Sequence, residues 1–360
     1  MEEEKKYHSA LKVQKGIEQP PSVNPDILGK KKRSRKYSVE EYVSGILAGN
    51  RTILGRAITL TESMLPKHYE KIQGVIEKCL PYSGNSIRIG ITGIPGAGKS
   101  TFIESFGLYL TGHGRKLAVL AIDPSSQRTR GSILGDKTRM EKLSTHPDAF
   151  IRPSPAAGTL GGVARKTHEA IILCEAAGFD TILVETVGVG QSETSVQSMV
   201  DFFLLLMLAG AGDELQGIKR GIIEMADLIA ITKADGSNRL AAEGARISFE
   251  NALHMYPSPS SGWKPGVMVC SAFENTGIAE LWSRILEYNA FTKANGYWDM
   301  HRKQQAILRM NEMINEYLNN SFHNNESVKK TRPRLEHLLE KGRITSYRAA
   351  LYLIDKYLKG

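Results

Sequence analysis

The sequence predicts an α/β fold built on a doubly wound, mainly parallel sheet, and three observations carry that prediction. Six short runs, "IRIGIT", "LAVLAI", "TILVET", "FFLLLML", "DLIAIT" and "GVMVC", are continuously apolar rather than alternating, as strands buried on both faces are. Segments with helical spacing lie between most of them, including 100–110, 162–177 and 240–254. That alternation builds parallel sheets with crossover helices. A glycine-rich turn joins the first run to the first of these helices.

Taken in chain order, residues 1–36 are polar, hold "QPPSVNP" and the basic run "KKKRSRK", and show no periodicity. A disordered basic arm is expected there. An N-terminal helical segment is expected over 37–81. It opens on "SVEE" at 38–41, a capping box, and "YVSGILAG" then carries apolar residues at helical spacing until Gly49. Further helices are expected near 51–61 and 68–80, and "PYSGNS" reads as a linker into the sheet domain, 82–296. Residues 297–360 offer no strand pattern. There "RMNEMINEYL" and "SYRAALYLIDKYL" are amphipathic, separated by the polar stretch "NNSFHNNES".

Composition narrows the class. Of 360 residues, 41% are hydrophobic and 24% charged, an ordinary globular balance. The formal net charge of +9 owes much to the arm, and only Tyr37 adjoins its basic run, so stacking aromatics are sparse and no nucleic-acid partner is expected. Cys79, Cys174 and Cys270 are far apart and odd in number, which fits a reducing compartment. No apolar run approaches a membrane span, and "MEEEKKYH" is too acidic for a signal or transit peptide, so a cytoplasmic protein with no membrane partner is expected.

The glycine-rich turn carries the chemistry. Gly93, Ile94, Pro95, Gly96, Ala97, Gly98, Lys99 and Ser100 match G-x-x-x-x-G-K-[ST], between a strand and a helix as that motif requires. Its backbone N–H groups and the helix N-terminus attract phosphate oxygens. Lys99 is expected to bridge the β and γ phosphates, Ser100 to ligate Mg²⁺, and Thr101 to meet the α phosphate. Three acids sit where carboxyl ends of parallel strands build sites: Asp123, Asp136 in "GSILGDKTRM", and Glu185. Glu185-Thr-Val-Gly188 has the spacing of a D-x-x-G switch, with Glu in the place of Asp and Gly188 as the hinge.

Base selection is read from "DLIAITKADGSN". Thr232-Lys233-Ala234-Asp235 follows a strand, and Asp235 can accept from guanine N1 and the exocyclic amine, a donor pair that adenine lacks. Ser271, Ala272 and Phe273 follow the next strand, where a small-residue loop meets guanine O6. Thr232 stands where the N-K-x-D pattern has Asn, so a tie from this loop to the phosphate loop is expected to be lost and nucleotide binding weakened. Val189 stands where Ras-like enzymes orient water with Gln, so slow turnover raised by a partner is expected.

These segments, with "AIDPSS", "RPSPAAGTLGGVARKT", "VETVGVGQSE" and "GDELQGIKRG", resemble the signatures of the MeaB/ArgK group, the methylmalonyl-CoA mutase-associated GTPases, over 38–360. The resemblance implies a P-loop NTPase fold with an N-terminal helical extension and a C-terminal helical dimerisation segment, and a homodimer. It implies Mg²⁺ with GTP or GDP, the metal and catalytic acids falling on Asp123, Asp136 and Glu185 alongside Lys99 and Ser100. Which acid positions water stays open. "GDELQGIKRG" resembles a switch that couples nucleotide state to the client, through Asp213, Gln216 and Lys219. The implied client is an adenosylcobalamin-dependent acyl-CoA mutase, methylmalonyl-CoA mutase foremost, whose cofactor delivery the GTPase gates and which it protects or reactivates. Three alternatives are weighed beside it: a nickel-insertion GTPase, against which the absence of C-x-x-C counts; an ATP-dependent kinase of transport binding proteins, against which Asp235 counts; and a binding module working through the basic arm.

Overall fold

The computed structural model describes residues 37–63, 65–123, 140–155, 160–186, 192–210 and 220–359. The arm expected over 1–36 lies outside them. Three helices come first: α1 (Val39–Leu47), α2 (Arg51–Thr61) and α3 (Pro66–Cys79). Gly49 takes φ +70°, and Gly49 N–H donates to Ile46 O at 2.8 Å while Asn50 N–H donates to Gly45 O at 2.9 Å, the paired bonds of a Schellman stop. Asn50 then caps α2, its side-chain oxygen accepting from the amides of Thr52 and Ile53.

Seven strands follow: β1 (Ile87–Gly93), β2 (Leu117–Asp123), β3 (Ala149–Pro155), β4 (Thr181–Thr186), β5 (Phe202–Leu208), β6 (Leu228–Thr232) and β7 (Gly266–Val269). They form one sheet in the order β3-β2-β4-β1-β5-β6-β7, every pairing parallel. Between and after them run α4 (Lys99–Gly112), α5 (Glu141–Thr145), α6 (Leu160–Ala176), α7 (Ser192–Gln197), α8 (Arg220–Glu224), α9 (Arg239–Leu253), α10 (Ile278–Ala294), α11 (Tyr297–Asn324), α12 (Glu326–Glu340) and α13 (Ser346–Lys359).

The unbroken apolar character of the strands has a direct cause. Ile89, Ile91, Leu204 and Leu206 face Phe102 and Phe106 of α4 and Trp282 and Ile285 of α10. The alternate residues Leu205, Met207, Ile229 and Ile231 face the other way, onto Phe249 of α9. Each such side chain contributes roughly 1.5–3 kcal/mol on burial, so neither face of the central strands tolerates polarity. The chain moves from β1 to one side and, after β4, to the other, so a crevice opens at the carboxyl ends beside β1.

Two expectations need correction. The seventh strand, β3, is absent from the six read in the sequence. Arg152, Pro153 and Pro155 interrupt its apolar run, and they are tolerated because β3 is an edge strand paired only with β2. The polar stretch at 319–327 does not separate two helices along its length. Helix α11 runs through it to Asn324, held by Ser321 Oγ at 2.8 Å from Tyr357 Oη and by Phe322 packed edge-on against the same ring, both contacts with α13.

A buried ion network fastens α11 to the amino-terminal edge of the sheet. Arg302 forks onto Asp201 with two bonds of 2.7 Å and donates to the carbonyls of Gly84 and Ser86. Asp201 also accepts the Arg88 amide at 2.8 Å, and the Arg88 guanidinium pairs twice, at 2.9 Å, with Glu175 of α6. These bidentate pairs offset the cost of burying the charges.

Candidate functional site

The glycine-rich turn sits in that crevice. A Cβ at Gly93 would lie 2.4 Å from Leu206 O on β5, so only glycine lets β1 run this close to its neighbour before the turn. Gly96 and Gly98 take φ of +83° and +78°, and Gly98 caps α4 in the left-handed region with no side chain in the way. The amide-lined turn therefore opens directly onto a helix N-terminus. Lys99 folds back over it, donating to Gly93 O at 2.8 Å. Burial pushes its ammonium below the usual lysine range, against the opposing pull of Glu185 and Glu193.

Sheet register assembles the acids. Glu185 stands level with Ile91 of β1 and Ala121 of β2, and β2 ends two residues later at Asp123. Glu185 is buried, and the next residue, Thr186, donates from its hydroxyl to Thr92 Oγ1 at 2.8 Å, locking β4 to β1 beside the turn. Asp136, Gly188 and Val189 lie outside the described residues, as do Asp213, Gln216 and Lys219. One acid outside the expected set also bears on the site. Glu193, only 3% exposed, opens α7 and adds its charge to the field at Lys99. Its signal was available, since it stands five residues past the Gly188 hinge at a helix start.

The residues expected to read the base lie just past the ends of β6 and β7. Lys233 takes φ +56°, a strained value for a side-chain-bearing residue, and its Cε would lie 3.7 Å from a Cβ at Gly98, so its stem crosses the phosphate loop. Asp235 Oδ2 accepts from Ser271 Oγ at 2.6 Å, and Ser271 Oγ in turn accepts from Glu274 N–H at 3.1 Å. Ser271 thus orients the carboxylate from a fully buried position, with Phe273 87% exposed at the rim.

Thr232 corrects the expectation of a lost tie. Its hydroxyl lies 2.8 Å from Ala97 O in the phosphate loop and 3.0 Å from Met207 O on β5, donating to this carbonyl pair. A short hydroxyl does from a buried position what the longer amide was expected to do. Thr232→Val keeps the shape and removes the donor, and should destabilise the protein by about 1–3 kcal/mol. GTP affinity should fall in parallel, which melting curves and fluorescent-nucleotide titration would check; unchanged affinity would show that the tie is dispensable.

The all-parallel sheet with a glycine-rich loop and helix N-terminus at its switch point is the fold of a P-loop GTPase. The chain belongs to the family described as methylmalonyl Co-A mutase-associated GTPase MeaB, whose family model matches residues 54–327. It is 44% identical over 323 residues to GTPase ArgK of Escherichia coli, covering 89% of this chain and 97% of that protein. It is 44% identical over 329 residues to the mitochondrial methylmalonic aciduria type A homolog of Mus musculus, covering 89% and 79%. Among solved structures, one described as LAO/AO transport system kinase superposes with a TM-score of 0.72 at 36% identity, covering 89% of this chain and 98% of that one.

Proposed function

We propose that this GTPase is a nucleotide-timed chaperone of an adenosylcobalamin-dependent acyl-CoA mutase, methylmalonyl-CoA mutase first among the candidates. It gates delivery of the cofactor and protects or reactivates the client. The observation that carries the client assignment is membership of a family described by its association with that mutase. The Asp235–Ser271 pair beside the phosphate loop supports guanine as the base that sets the timing.

Mg²⁺ fits the donor set. Ser100 opens α4, Glu185 is a buried carboxylate at the end of β4, and β2 ends at Asp123. Such a hard oxygen set, completed by Asp136, phosphates and water, suits Mg²⁺, which would neutralise charge on the phosphates. A homodimer is supported by the C-terminal helices, where Ile307, Ile314, Tyr317, Leu351, Ile354 and Leu358 are exposed in this single chain. The domain scheme of this reading is a helical extension at 37–81, a GTP-binding domain at 82–296 and a dimerisation segment at 297–360. A cytoplasmic location belongs to the same reading; no described helix is long and apolar enough to cross a membrane.

The deciding experiment is GTP hydrolysis by the purified protein with and without a purified adenosylcobalamin-dependent acyl-CoA mutase, with ATP in parallel. Slow GTP turnover that rises many-fold with the mutase supports the reading. GTP turnover indifferent to the mutase removes the client assignment, and preferential use of ATP removes the base assignment. Within that assay, Lys219→Ala should leave basal hydrolysis nearly unchanged and abolish the stimulation; a normal response would place the coupling switch elsewhere.

A further inference from the structure

A cleft of about 300 Å³ opens at the amino-terminal ends of β5 and β6, the opposite edge of the sheet from the phosphate loop. Its wall includes Asp201, Asp227, Tyr288, Tyr297 and His301, and the segment 257–261 forms one rim. Nothing in the nucleotide chemistry uses it.

The lining discriminates among ligand classes. Among the described residues the wall carries no lysine or arginine, so a phosphate or carboxylate would meet no partner of opposite charge. Arg302 stands behind it but is committed to Asp201 through two bonds of 2.7 Å. A bare metal ion is far too small for the space, and no described group of three or more His, Cys, Asp or Glu converges to hold one. His301 is engaged as well, with Gln305 Nε2 at 2.9 Å and Tyr297 Oη at 3.4 Å from its ring nitrogens.

Asp227 remains as the acid with capacity to spare. Its Oδ2 accepts the Phe203 amide at 2.8 Å and Tyr288 hydrogen-bonds the carboxyl group, which still leaves carboxylate lone pairs for a donor in the cleft. Burial, opposed by those two hydrogen bonds, pushes its carboxyl up to about 7. A cation bound beside it would favour the charged form. Glu224 adds a second negative charge at the rim. Tyr288 is packed edge-on against Phe202 and Trp263, while Tyr297, half-buried and stacked on His301 through one face, is the aromatic of the wall against which an organic cation can lie.

We propose that this cleft is a second binding site, which takes a small organic cation: a primary ammonium on an aromatic or short aliphatic body. The ammonium pairs with Asp227 and the body lies against Tyr297 at the wall of the cleft.

The test uses the full chain saturated with GDP and Mg²⁺, so that the nucleotide site is filled. Phenethylammonium and its neutral counterpart phenethyl alcohol are titrated in parallel by ligand-observed NMR. The ammonium should bind about 10–100-fold more tightly, the range that a charge-assisted hydrogen bond provides. Asp227→Asn should erase that difference. Ser260→Trp, at an exposed rim position, should block both probes by bulk and serves if the Asn variant does not fold. Equal binding of the two probes, binding of neither, or ammonium binding undiminished in the variants would each overturn the proposal.

Discussion

Lys99→Ala should bind GTP too weakly to measure at micromolar protein and should lose hydrolysis by at least ~10²–10³-fold, the effect of deleting one preorganised charged donor from a transition state. The Lys99 ammonium donates to the phosphate loop's own carbonyl at Gly93 and sits in the field of Glu185 and Glu193. Phosphate oxygens would offer it a stronger partner, and binding would consist partly in that exchange. Because burial of the lysine disfavours its charge, the alanine variant should fold at least as stably as the native chain. Fluorescent-GTP titration and single-turnover hydrolysis read the loss, and a melting curve separates it from unfolding. Tight binding by a folded Lys99→Ala would mean that the glycine turn and helix dipole suffice and that the lysine acts elsewhere.

That exchange involves residues whose roles the sequence showed with unequal clarity. The phosphate loop was readable because it is local: glycines, lysine and serine lie within eight positions, and each is required by backbone geometry or charge. The central strands were readable because burial on both faces leaves one pattern. Edge strand β3 followed no such rule, since one free edge lets Pro153 and Pro155 into a strand. In the run through Asn319 and Asn320 of α11 intrinsic propensity argues for a break, whereas contact of Ser321 and Phe322 with Tyr357 decides for a helix.

Long-range partners were not readable at all. Arg88 and Glu175 stand 87 positions apart, and Arg302 and Asp201 stand 101 apart, yet they form one buried network. Nothing in the spacing announces them. Thr232 shows the same limit inside the site itself. The departure from Asn was visible, but its hydroxyl reaches Ala97 only because the fold brings the end of β6 against the phosphate loop. Glu193 was visible as an acid, but only the fold shows it buried and acting at Lys99.

Asp235→Asn should reverse the base preference from guanine to xanthine nucleotides. In the proposed role the carboxylate would accept from guanine N1–H and the exocyclic amine; the amide would keep one acceptor and gain a donor, which matches the xanthine carbonyl instead. Two charge-assisted hydrogen bonds at about 1.5–3 kcal/mol each set the loss of GTP affinity at roughly 10²–10⁴-fold. Ser271 makes the outcome directional. Its hydroxyl donates to Asp235 Oδ2 at 2.6 Å, and in the variant it selects the amide orientation that keeps oxygen toward Ser271 and turns the NH₂ to the base edge. Adding Ser271→Ala should therefore weaken the xanthine preference while restoring none of the guanine affinity. Competition between GTP and XTP for a fluorescent nucleotide measures both steps. Retained guanine preference in Asp235→Asn would move base recognition off this loop, and an Asp235→Asn/Ser271→Ala pair no different from the single variant would remove Ser271 from the role of orienting it.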